Sequence, residues 1–174
     1  MANKKLEQYK QSCLEQIPAL ENEIKEIENI ISSHFANPDD KELEEKYFNY
    51  KPCSNGSSYM ASQWKDRLKD QIGRLRADAL PTDEKYFSQF LYSDVHAYKC
   101  VKEFTPNKIG VVRLIATAVG EPMSNNWEFT MPEYTDDDII IIRRHKNGKF
   151  YTSGDHSCPF ICSSEPYEHY DYNF

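Results

Sequence analysis

Between Leu6 and Phe35 the apolar residues Leu6, Cys13, Ile17, Leu20, Ile24, Ile27 and Ile31 recur at helical intervals. From Cys13 onward the steps run four, three, four, three, four. That spacing holds one narrow stripe on a single side of a helix, a coiled-coil-like seam. Glu21, Glu23, Lys25, Glu26 and Glu28 occupy positions between, so the rest of the surface is wet. Such a seam, with Ile17, Leu20, Ile24, Ile27 and Ile31 at its centre, needs a partner either within the chain or in a second copy. Pro18 lacks a backbone donor and crowds the preceding turn. The pattern therefore predicts two helices nearly in line, 4–16 and 18–35, broken at the proline. They end near Ala36, because the residue before Pro38 disfavours helical geometry.

A short second segment is predicted from Pro38 to Phe48, capped by Asn37, with Asp39 and Asp40 near its positive end. Residues 49–58 carry a proline, an Asn-Gly pair and serines, and read as a loop. A third helix follows, with Met60, Trp64, Leu68, Ile72, Leu75 and Ala79 on one stripe and a basic opposite face, ending before Pro81. Its charge complements the acidic flanks of the first, so the two are expected to pair as an antiparallel hairpin with Trp64 in the core. Thr82-Asp83-Glu84 predicts a short helix through Phe90 or Leu91. Beyond it, alternation and β-branched residues predict strands at 95–104, 108–119, 126–131, 138–146 and 149–153, with a short sixth at 159–163. Lys146-Asn147-Gly148 supplies a tight hairpin turn between two of these. Four successive isoleucines, Ile139 to Ile142, predict a central strand buried on both faces.

The fold class expected is α+β: an N-terminal helical hairpin or coiled-coil-like arm, then an antiparallel sheet of about five strands with helix packed on one face. The expected organisation is a helical region at 1–80, a sheet region at 81–162 and an acidic, aromatic tail at 163–174. That tail is expected to dock as an extended segment on this chain or a partner, or to remain in solvent.

The 174 residues carry 28 acidic against 21 basic side chains, a net charge of −7. This charge argues against general affinity for nucleic acid or anionic membrane. No apolar run is long enough to span a bilayer, and no apolar stretch follows the N-terminal lysines, so a cytoplasmic location is expected. The five cysteines, at 13, 53, 100, 158 and 162, lack framework spacing and are expected to be reduced thiols.

Three sets of side chains could carry chemistry. His156, Cys158 and Cys162 are a possible metal set, although the Cys-x3-Cys spacing lacks a second cysteine pair and no metal or other cofactor is expected. Cys53, in a loop before the third helix, could serve as a nucleophile. A hydrolase or nuclease site could be drawn from His145, His156, Arg143 and Asp138, with Asp136, Asp137, Glu128 and Arg144 nearby. Arg143 and His145 should face one way along a strand and Arg144 the other. No glycine-rich phosphate loop, G-x-S-x-G, H-E-x-x-H or C-x-x-C motif is present.

The leading expectation is thus a non-enzymatic interaction protein, of the inhibitor, immunity-type or phage and viral accessory kind. Its partner would be a protein with a basic surface. Acids gather at 21–28, 39–45, 133–138 and 165–171. Asp136, Asp137, Asp138, Glu165, Tyr167, Glu168, Tyr170 and Asp171 are the candidate partner-binding residues. The alternatives are the small hydrolase or nuclease, and a homo-oligomeric scaffold assembled through the N-terminal seam.

Overall fold

A computed structural model describes residues 2–120 and 126–170. Asp171, one of the expected partner-binding residues, lies outside the described residues. The helices are α1 (Ala2–Ala36), α2 (Lys41–Phe48) and α3 (Ala61–Ala79). The strands are β1 (Lys51–Pro52), β2 (Ser58–Tyr59), β3 (Tyr86–Phe90), β4 (Val95–Thr105), β5 (Lys108–Arg113), β6 (Ile115–Ala118), β7 (Trp127–Thr130), β8 (Ile140–Arg144), β9 (Phe150–Thr152) and β10 (Phe160–Ser163). The class is α+β. The chain divides into two compact units, one of residues 12–76 and one of residues 1–11 with 77–174.

In the helical unit the later residues of that stripe, Leu20, Ile24, Ile27 and Ile31, pack within the chain. Ile27 is fully buried with Ala61 and Leu68, and Leu20, Ile24, Ile31 and Trp64 pack against them. Burying an isoleucine contributes roughly 1.5–3 kcal/mol. Glu21 pairs with Arg76 at 2.6 Å and Glu28 with Lys65 at 3.9 Å, so α1 and α3 run antiparallel. The Trp64 indole N–H donates to Glu23 Oε1 at 2.8 Å. The expected break at Pro18 does not occur, and α1 continues through it. Pro18 and Leu14 are both exposed, so the carbonyl deprived of its helical donor is on the side open to water. Nor does Asn37 cap α2. Its amide instead donates to the Ser33 carbonyl at the end of α1, and Asp40 caps α2 by accepting from Glu42 N and Leu43 N. The loop at 49–58 contains the two-residue strands β1 and β2, closed by a turn in which Gly56 takes φ of 83°.

In the other unit the antiparallel sheet has six strands, where about five were expected. Six strands close into a barrel in the order β10-β3-β4-β5-β8-β9. Closure leaves no edge strand to protect. The register explains why it holds together. Phe87 stands opposite both Tyr98 and Cys162, Cys100 opposite Val111, Ile109 opposite Ile142, and Phe150 opposite Phe160. These residues form the buried cluster inside the barrel. A one-residue slip in any pair would turn its apolar side chains outward.

The expected helix through Phe90 is only a 3-10 turn at Thr82–Glu84, because 86–90 pairs with strands on both sides. The expected strand 108–119 breaks at Leu114 into β5 and β6, and β6 forms a separate hairpin with β7. Of the four isoleucines only Ile142 is buried; Ile140 is partly buried against the interior cluster and Ile139 lies over Gly110, so the strand is not buried on both faces as expected. A Cβ on Gly110 would stand 2.7 Å from Ile139 Cγ2, so this contact requires glycine. Among the described residues no helix is long and apolar enough to cross a membrane.

Candidate functional site

The most strongly perturbed groups in the barrel unit form a set that the sequence did not reveal. Inward-facing positions alternate through Tyr98 and Cys100, which would place Lys102 inward and Glu103 outward. A bulge between Cys100 and Lys102 shifts the register, so that Glu103 stands opposite the inward-facing Ile109. There its carboxylate is 2% exposed and accepts from Lys10, Lys85 and Thr82, each at 2.8 Å. Lys85 also donates to the Asp78 carbonyl at 3.0 Å. Asp78 accepts from Tyr9 at 2.9 Å and from Arg144 at 2.6 Å. Although burial opposes ionisation, the bonds from Lys10 and Lys85 hold Glu103 below the ordinary carboxylate range. Burial pushes the neighbouring Cys100 and Cys162 thiols up to about 12, so they are neutral. Glu103 and Lys85 are sealed from solvent and committed to partners inside the chain. Their chemistry is that of a structural clasp, with no exposed nucleophile or base.

The residues proposed for hydrolysis are only partly gathered. His145 and His156 come together, with ring centroids 4.5 Å apart, and Tyr151 lies 4.9 Å from His145. Arg143 is exposed on the barrel's outer face. Arg144, the next residue, points inward to Asp78. Asp138 is committed elsewhere: its Oδ2 accepts from Thr135 N and Oγ1, both at 2.8 Å, which lowers its pKa. Among the described residues no three His, Cys, Asp or Glu side chains are grouped so as to hold a metal ion. The possible set His156, Cys158 and Cys162 is therefore not assembled. His156 stacks on Tyr151, whereas the Cys162 thiol donates to the Ala77 carbonyl at 3.6 Å. Cys53 sits in the β1–β2 turn, its N–H donating to Ser57 O.

The acidic candidates divide by placement. Asp136, Asp137 and Asp138 form an exposed 3-10 turn, and Glu165 and Tyr167 are also exposed. Glu168 is different: fully buried, it accepts from Ala97 N and from Arg113, each at 2.6 Å. His169 exchanges two backbone bonds with Val95, and the Tyr170 ring lies 5.2 Å from Trp127. Through Tyr170, then, the tail docks on its own barrel. Beside this contact, burial and the Arg113 guanidinium push His96 down.

In the helical unit the corner between α1 and α2 gathers four rings. His34 stacks on Tyr47 at 4.5 Å, Phe48 meets Tyr47 edge-on at 4.9 Å, and Phe35 lies 5.8 Å from Tyr47. Phe35 is 69% and Phe48 44% exposed. Asp39, Asp40, Glu42, Glu44 and Glu45 lie in the same stretch of chain and are all exposed, Asp40 capping α2 and Glu42 pairing with Lys46. No residue of α2 is buried. The acidic run was visible in the sequence. The aromatic cluster was not, because Phe35 reads only as the end of the first helical stretch and Phe48 as the end of a short helix.

No protein-family model, no curated protein and no solved structure matches this chain.

Proposed function

We propose that the protein is a non-enzymatic interaction protein of the inhibitor or accessory kind, and that it binds a basic protein partner through its acidic surfaces. The observation that carries this reading is the α1–α2 corner, where Phe35 and Phe48 are exposed in a stretch of chain that also carries five exposed carboxylates. Apolar rings supply the desolvation that holds a complex together, and surrounding charge steers the approach. On the barrel unit Asp136 and Asp137 are exposed carboxylates of a 3-10 turn. Glu168, buried in its pair with Arg113, does not belong to the acidic surfaces.

A lysine- and leucine-rich amphipathic helical peptide serves as the probe of a basic partner. The full chain should bind it, with affinity falling as salt rises toward about 0.5 M. Replacing Phe35 and Phe48 together by Ser should weaken binding by about tenfold or more, through faster dissociation. Replacing Glu42, Glu44 and Glu45 by Gln should chiefly slow association. Binding that ignores both sets of changes would overturn the reading.

A further inference from the structure

We propose that the groove between β3–β4 and the segment following β7 binds a small aromatic carboxylate. Its volume is about 960 Å³, within the range of sites that enclose small molecules. The rings of Tyr86, Phe129 and Tyr134 line it, with Met131, Val101 and Leu114. Met131 and Tyr134 are substantially exposed, leaving two large apolar side chains at the opening with solvent as their neighbour. Three rings and a thioether favour a flat aromatic body, through offset or edge contacts and sulfur–ring contacts.

The charge of the ligand follows from Lys99, the cation in this wall. Its ammonium lies 3.7 Å from the centroid of the Tyr86 ring and donates to the Asp83 backbone carbonyl. Both partners are neutral. The ammonium is thus positioned at the exposed edge of the groove, with no carboxylate partner shown among the described residues. A ligand carboxylate would supply that charge through a charge-assisted bond at the groove's edge, while its ring system takes the apolar lining. The Asp83 side chain also borders the groove but is exposed, so water and salt screen its repulsion. The opposite wall includes Pro166, two residues before the buried Glu168, so the docked tail holds that wall in place.

Three fluorescent probes with one ring system and three charges decide the matter: 9-anthracenecarboxylate, 9-anthracenemethanol and 9-anthracenemethylammonium. Each is titrated against the full chain by fluorescence. The carboxylate should bind about two- to fivefold more tightly than the alcohol, and the ammonium most weakly. Lys99→Met keeps the aliphatic stem and should erase the preference for the carboxylate while leaving alcohol binding unchanged. Lys99→Arg should retain the preference. Met131→Glu should weaken all three. Circular dichroism melts confirm that each variant is folded. Equal affinity for all three probes would mark the groove as a non-ionic apolar surface, and no binding at about 1 mM would leave it without this ligand class. Either result overturns the proposal, as does a Lys99→Met protein that still prefers the carboxylate.

Discussion

The two units treat charge in opposite ways. In the helical unit the ion pairs lie on the rim: Glu21–Arg76, Glu28–Lys65, Glu23–Lys51 and Glu42–Lys46 each keep substantial access to water. In the barrel unit Lys85–Glu103, Lys10–Glu103, Arg144–Asp78 and Arg113–Glu168 each have at least one side chain nearly or fully withdrawn from solvent. An exposed pair contributes little, because water and salt already satisfy both ends. A buried pair costs much to desolvate and is harmful to break, since the remaining charge has no replacement partner. The difference teaches where each unit is vulnerable: the helical unit in its apolar stripe, the barrel unit also in its clasp.

The largest effect is expected at Glu103. Glu103→Gln preserves shape but leaves the Lys10 and Lys85 ammoniums uncompensated, which should cost about 3–5 kcal/mol in urea denaturation. Replacing Glu103, Lys10 and Lys85 together by Leu, Met and Met should recover most of that loss. The pH dependence has a definite sign. Because the folded-state pKa of Glu103 is depressed, its contribution is fully present above the unfolded carboxylate value and is lost as pH falls through the lower folded value. Between about pH 5 and pH 2 the parent protein should therefore lose stability more steeply than Glu103→Gln. Matching slopes would mean that the bonds from Lys10 and Lys85 do not outweigh the cost of burying the carboxylate.

That clasp marks the limit of what the sequence made legible. The seam, the third helix and most strand positions were readable because each rests on local periodicity, three and four in one case and two in the other. The turn at Lys146-Asn147-Gly148 was readable because Gly148 takes φ of 81°. The barrel was not readable, because closure depends on which strands pair, and β10 pairs with β3 across a long stretch of chain as well as with its neighbour β9. Glu103 reads as an ordinary surface acid in β4, and only the bulge turns it inward. Glu168 reads as one more acid in a polar tail, and only Arg113, 55 residues away, makes it a buried anchor. In the candidate site the charge at 39–45 could be seen, but the four rings beside it come from two helices whose approach no local pattern records.

A smaller effect tests whether the two cores are equally well packed. Ile27 in the helical unit and Ile142 in the barrel are both fully buried. Removal of one methyl group by Ile27→Val or Ile142→Val should cost about 0.5–1.5 kcal/mol at either site, read as a shift in urea midpoint at constant slope. Comparable losses would mean that a three-and-four stripe packs as tightly as a closed barrel. A full loss at Ile142 with almost none at Ile27 would show the helical core to be looser, and the contrast between the units would extend from their charges to their apolar contacts.

The smallest effect concerns the rim. Arg76 and Glu21 are 2.6 Å apart, as close as Arg113 and Glu168, yet their side chains are 62% and 44% exposed whereas Glu168 is fully buried. If distance governed strength, the two pairs would contribute alike; if solvent access governs it, they should differ several-fold. A double-mutant cycle with Arg76→Met and Glu21→Gln should give a coupling of about 0.2–1 kcal/mol that fades in about 1 M salt, where the screening length is about 3 Å. The same cycle with Arg113→Met and Glu168→Gln should give a larger coupling that persists at that salt, because ions do not reach the buried carboxylate. Equal couplings, or equal sensitivity to salt, would break the distinction between the two units at the level of single pairs. They would show that the barrel's pairs remain open to solvent despite their burial.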